Sequence, residues 1–101
     1  MRAARTDKNH AEIRNFLRKA GVLVWDTHDI GGGFPDLLIC HHGKLALIEV
    51  KDKRGKLTPD QVAFHEFWPV YIVHNKTEAV AVLDKIVSLE YNRLLLERRE
   101  S

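Results

Sequence analysis

Two apolar runs, residues 37–40 and 45–50, stand on either side of the pair His42-Gly43, and this arrangement restricts the fold more than anything else in the chain. A two-residue connection with Gly in its second position fits a tight hairpin, so Asp36 to His41 and Lys44 to Lys51 are predicted to be antiparallel strands. Leu37, Ile39, Ala46, Ile48 and Val50 fall on one side of the pair, and Leu38, Cys40, Leu45 and Leu47 on the other. Strands apolar on both sides predict a sheet with helices packed against each face.

The flanking sequence supplies those helices. Ile13, Phe16, Leu17 and Ala20 recur at helical spacing and stop at Gly21, which predicts a first helix over residues 11–20, capped by Asn9 with Glu12 three residues on, or by Thr6. Val22 to Trp25 reads as a short strand, and the glycine-rich segment 27–35 as a loop. Thr58-Pro59-Asp60-Gln61 carries a cap, a Pro at the first helical position and a Gln at the third, opening a helix that runs to about Phe67. Pro69 to His74 is β-branched and apolar, and a last helix is expected from Thr77 to Arg99. The expected order is αβββαβα around a mixed sheet, an α/β domain spanning residues 1–101. A chain of 101 residues, 45% apolar, suits one such domain.

A net charge of +2 with 30% charged residues permits nucleic acid as a partner without demanding it. A single cysteine, Cys40, excludes an internal disulfide and a cysteine-based zinc cluster, and points to a reducing compartment. No apolar stretch approaches the ~18 residues that a membrane helix needs, and residues 1–10 lack the apolar core of a signal peptide. An intracellular protein is expected.

The chemistry follows from hairpin register. With His42 and Gly43 as the loop, His41 faces Lys44, and counting back places Asp36 opposite Glu49 on the same face, with Cβ atoms about 4.5 to 5.5 Å apart. Two carboxylates so close repel unless a cation lies between them. On this reasoning, removing either one leaves the metal-free protein no less stable. Lys51 points to the same face, and the Val50 carbonyl is near enough to add an oxygen ligand, so the donor set favours Mg²⁺ or Mn²⁺. The plainer alternative is an ion pair of Glu49 with Lys51 and nothing bound.

Gly33-Phe34-Pro35-Asp36, followed after a hairpin by Glu49-Val50-Lys51, resembles the PD-(D/E)XK nuclease motif. With Glu12 on the helix before it and Gln61 on the helix after it, the chain most resembles the VRR-NUC family, the virus-type replication and repair nucleases, from Glu12 to about His74. The resemblance implies a restriction-endonuclease-like core and Mg²⁺- or Mn²⁺-dependent hydrolysis of DNA phosphodiesters, often in branched substrates such as Holliday junctions. It also implies a setting in the cytoplasm of a bacterium or a virus-infected cell. By position it makes Asp36, Glu49 and the Val50 carbonyl metal ligands and Lys51 the catalytic lysine. Glu12 would contact the metal through water, and Gln61 would support the site. A non-catalytic DNA-binding or assembly module on the same fold is the alternative.

Glu12 and Gln61 also sit where a capping box would need them. The adjacent pair His41-His42 reads as a surface turn, because strand neighbours point to opposite faces. His28 and Asp29 in the glycine loop could approach substrate, but a solvated loop is the plainer reading. Lys53, Arg54 and Lys56 follow the catalytic strand, where they would hold flanking phosphates or form a solvated turn. Arg2, Arg5, Lys8, Arg14, Arg18 and Lys19 extend the positive charge around the first helix. The last helix, some 23 residues or roughly 34 Å long, exceeds a core of this size and keeps Leu89, Tyr91, Leu94, Leu95 and Leu96, which predicts a homodimer.

Overall fold

The structure, a computed structural model, describes residues 9–100, and the side chains of these apart from residues 90–92, 99 and 100. The candidate cap Thr6, the basic residues Arg2, Arg5 and Lys8, and the side chain of Tyr91 lie outside this description.

The elements are α1 (His10–Lys19), β1 (Leu23–Asp26), a 3-10 turn (His28–Ile30), β2 (Leu37–His41), β3 (Lys44–Val50), α2 (Pro59–Phe67), β4 (Tyr71–Val73) and α3 (Lys76–Glu100). The four strands form one sheet in the order β1-β2-β3-β4, antiparallel except for the parallel pair β3/β4. The result is an α/β fold with a mixed sheet and three α-helices.

Local chemistry explains most boundaries. Gly21, at φ +87°, closes α1: its amide donates to the Arg18 carbonyl and the Val22 amide to Leu17, both the bonds of a Schellman stop. The N-terminal end differs from expectation, because the Asn9 side chain makes no cap bond. Its Nδ2 donates instead to the carbonyls of His74 and Lys51, tying the start of α1 to the ends of β4 and β3. Thr58 forms the full expected box, its Oγ1 accepting from the Gln61 amide while Gln61 Oε1 accepts from the Thr58 amide. Asn75 caps α3 by accepting from the Glu78 amide at 2.8 Å. His42 and Gly43 both have positive φ, 51° and 74°, as a type I′ turn requires, and His41 pairs with Lys44.

The core lies on one face of the sheet. Val24, Leu37, Ile39, Ala46, Ile48, Val50 and Val73 pack there against Ile13 and Leu17 of α1 and Ala79, Val82, Leu83 and Ile86 of α3. Each Val, Leu and Ile among them contributes about 1.5–3 kcal/mol by leaving water.

The other face corrects the expectation of helices packed fully on both sides. Leu45 is 68% exposed and Trp25 47%, with Leu23 and Ile72 also open. Among the described residues, α2 covers this face at Glu49, through Gln61 and His65, and has no buried residue of its own. The hairpin therefore has two apolar faces, of which the described residues cover one and part of the second.

Candidate metal centre

The last ladder pair of the hairpin at its open end is Leu37 with Ile48, so Asp36 and Glu49 are the next opposed positions, on the partly covered face. Asp36 is 8% exposed and Glu49 fully buried. Their side chains engage different partners. Asp36 Oδ2 accepts from the Val50 amide at 2.9 Å, and Oδ1 lies 3.2 Å from His28 Nδ1. Glu49 Oε2 accepts from Gln61 Nε2 at 3.2 Å, and Oε1 lies 3.8 Å from His65 Nε2. The first contact corrects one expectation: Asp36 satisfies a buried backbone donor, so deleting it does more than relieve repulsion.

Gln61 serves both of its alternative roles. Its carbonyl oxygen completes the capping box while its amide nitrogen holds Glu49, because a carboxamide carries an acceptor and donors on opposite arms. His65, one turn further along α2, is a site residue that the sequence reading missed, although four-residue spacing from Gln61 puts both on one helix face. Burial, and then the positive charge of Lys51, lowers the His65 pKa and so favours the neutral imidazole. Lys51 is anchored by its backbone amide, which donates to the Val73 carbonyl at 3.0 Å.

Glu12 lies elsewhere. Its side chain is 61% exposed, with its carboxylate 3.4 Å from Lys76 Nζ, and it neither caps α1 nor approaches Asp36 in the described contacts. The α1 residue that reaches the site is His10, which is buried. Its spacing with Ile13 and Leu17 places it on the inward stripe of the helix, a signal that was present in the sequence. One ligand atom each from His10, His28 and Asp36 lie within 4.8 Å of one another.

His10 Nε2 is 3.1 Å from both oxygens of Asp26, which also accepts from Arg14 Nη1 at 2.7 Å and from the His28 amide at 3.2 Å. Burial alone would raise the Asp26 pKa, but Arg14, His10 and the His28 amide together lower it to about 2. His28 is thus part of an organised corner and not of a solvated loop. Thr27 fixes that corner, its Oγ1 donating to the Pro35 carbonyl at 2.7 Å and its amide to the Asp36 carbonyl at 2.9 Å. Gly33, at φ +85°, passes so close to the backbone of Asp60 that a Cβ there would collide with it.

The basic residues divide by role. Arg14 pairs with Asp26, and Arg18, which is exposed, donates to the Val24 carbonyl. Lys53, Arg54 and Lys56 are exposed on the turn after β3, where Asp52 Oδ1 accepts from the Arg54 amide. His41 and His42 stack edge to face in the hairpin turn.

Comparison with family models, with curated proteins and with solved structures found no match. Among the described residues no helix is long and apolar enough to cross a membrane.

Proposed function

We propose that the chain is a metal-dependent endonuclease that hydrolyses DNA phosphodiester bonds, with Asp36, Glu49 and the Val50 carbonyl as metal ligands and Lys51 as the catalytic lysine. The observation that carries the reading is the burial of two opposed carboxylates at one end of an apolar hairpin, with Lys51 next along the same strand. Each acid has partners of its own, Asp36 the Val50 amide and Glu49 the Gln61 carboxamide, and a cation on the face they share would neutralise both. The donor set fits a hard divalent cation: two carboxylates and a carbonyl, with the fully buried Glu49 flanked by a neutral carboxamide and a neutral imidazole. Mg²⁺ or Mn²⁺ bound there supplies Lewis-acid polarisation of a phosphate oxygen and a lowered pKa for the attacking water.

The chain's own groups do the rest. Lys51 neutralises the charge that grows on the phosphate oxygens and holds a proton near the attacking water. Gln61 fixes the Glu49 carboxylate. Lys53, Arg54 and Lys56 contact phosphates flanking the cut. Branched DNA, including four-way junctions arising in replication, recombination or repair, is the proposed substrate, and a homodimer formed through α3 the proposed assembly. Incubating the full chain with plasmid and junction DNA, with and without Mg²⁺, tests the reading: metal-dependent cleavage supports it, and binding without cleavage in either metal favours a non-catalytic DNA-binding module.

A further inference from the structure

The arrangement of His10, His28 and Asp36 differs in chemistry from the carboxylate pair, and it brings together groups from three separate parts of the chain. We propose that these three residues form a second metal site, selective for a first-row transition ion such as Zn²⁺, Co²⁺ or Mn²⁺ over Mg²⁺. It shares Asp36 with the catalytic centre proposed above but does not rest on that reading.

The distances fit. Two donors each about 2.1 Å from one ion lie about 3.0 Å apart at a right angle and about 3.4 Å apart at a tetrahedral angle. His28 Nδ1 and Asp36 Oδ1 are 3.2 Å apart, inside that interval. The His10 ring lies 5.3 Å from the His28 ring, centroid to centroid and tilted by 58°, so the two imidazoles are neighbours without being stacked face to face. All three ligand atoms fall within 4.8 Å, so small rotations close the set around one ion.

The surroundings resemble those of a built site. Metal-binding imidazoles commonly donate their second nitrogen to a carboxylate, which sets tautomer and ring direction. Asp26 stands in that position for His10, at 3.1 Å, and is itself fixed by Arg14. With His10 Nε2 donating to Asp26, Nδ1 is left as the metal-facing nitrogen. His28 binds through Nδ1 once its proton sits on Nε2. Beside the cluster lies an open cavity of about 430 Å³ lined by His10, Arg14, Asp26, His28 and Asp29, which gives water or an anion access. Two neutral imidazoles and one carboxylate leave a divalent ion with a net charge of +1. Together with Arg14 on the cavity wall, this suits a phosphate oxygen or hydroxide in the open position. Two nitrogen donors disfavour Mg²⁺, which binds through oxygen.

Co²⁺ titrated into the metal-free full chain, read by its visible d–d absorption, tests the proposal. The parent should show a saturable band. His28→Gln and His10→Gln should abolish it, Asp26→Asn should weaken affinity by about tenfold, and Glu49→Gln should leave it in place. If His10→Gln does not fold by circular dichroism, His28→Gln, in the short 3-10 turn outside the core, decides. A band unchanged in His28→Gln, or absent from the parent, overturns the proposal. A band lost only in Glu49→Gln also overturns it, by assigning the ion to the carboxylate pair. Failure of DNA cleavage in Mg²⁺ and Mn²⁺ alongside a histidine-dependent Co²⁺ band would instead reject the nuclease reading and leave this site standing.

Discussion

Gln61 donates to Glu49 at 3.2 Å while its other arm closes the capping box of α2, so the helix start and the buried acid depend on a single carboxamide. Gln61→Ala should therefore cost stability through the lost return bond from the Thr58 amide, by about 0.5–1.5 kcal/mol in a denaturant melt, and should also lower cleavage. Gln61→Glu keeps the arm that accepts from Thr58 but turns a carboxylate towards Glu49. It should retain the helix in circular dichroism while cutting activity at least as much as Gln61→Ala. Equal activity in Gln61→Glu and the parent would remove Gln61 from the site.

Asp36 and Glu49 should behave differently when deleted from the metal-free protein. Asp36→Ala orphans the buried Val50 amide and should cost about 1–3 kcal/mol, whereas Asp36→Asn, which keeps an acceptor, should cost less. Glu49→Gln keeps the shape of the buried side chain without its carboxyl group and should be neutral or stabilising. Thermal melts without metal distinguish these outcomes, and a stable Asp36→Ala would contradict the bond to Val50.

The acid limb of stability should depend on Asp26. Its folded pKa of about 2 lies below the ordinary value of 3.8, so the unfolded chain takes up the proton first. The contribution is present in full above pH 3.8 and is lost as the pH falls through that interval towards 2. Asp26→Asn should flatten the pH dependence of stability in this window, measured by urea melts without metal. An unchanged slope would show that Arg14 and His10 do not hold the carboxylate as described.

The dimer proposal concerns the far end of α3. That helix has 25 residues, the molecule extends 58 × 30 × 22 Å, and Leu89, Leu94, Leu95 and Leu96 are exposed. Beside them an apolar groove is lined by Leu45, Trp68, Tyr71, Ile86 and Leu89. Light scattering at micromolar concentration should give the mass of two chains, and Leu94→Glu with Leu95→Glu should reduce it to one. A single-chain mass for the parent across a dilution series would reject the dimer.

The hairpin, its two-residue turn and the register that opposes Asp36 to Glu49 were legible in the sequence because a two-residue turn fixes every later pairing. So was the capping box at Thr58 and Gln61, whose parts are close in sequence. What was not legible depends on how distant segments meet. Asn9 abandons its expected cap for the carbonyls of Lys51 and His74, which no local pattern announces. Glu12 turns to Lys76, 64 positions away, and His10 takes the inward place. His28 was read as loop because its partners, Asp36 and the Asp26 corner, come together only in the folded chain. Periodicity likewise records that a face is apolar without saying what covers it, which is why the face bearing Trp25 and Leu45 was expected to be buried.

The most direct test of the nuclease reading is cleavage of four-way junction DNA by the full chain in Mg²⁺, compared across Asp36→Asn, Glu49→Gln and Lys51→Ala, with folding checked by circular dichroism. The parent should cut in a metal-dependent way, and cleavage should fall at least about 10²-fold in each folded variant. A parent that does not cut in Mg²⁺ or Mn²⁺, or a Glu49→Gln variant that cuts as well as the parent, would contradict the nuclease reading.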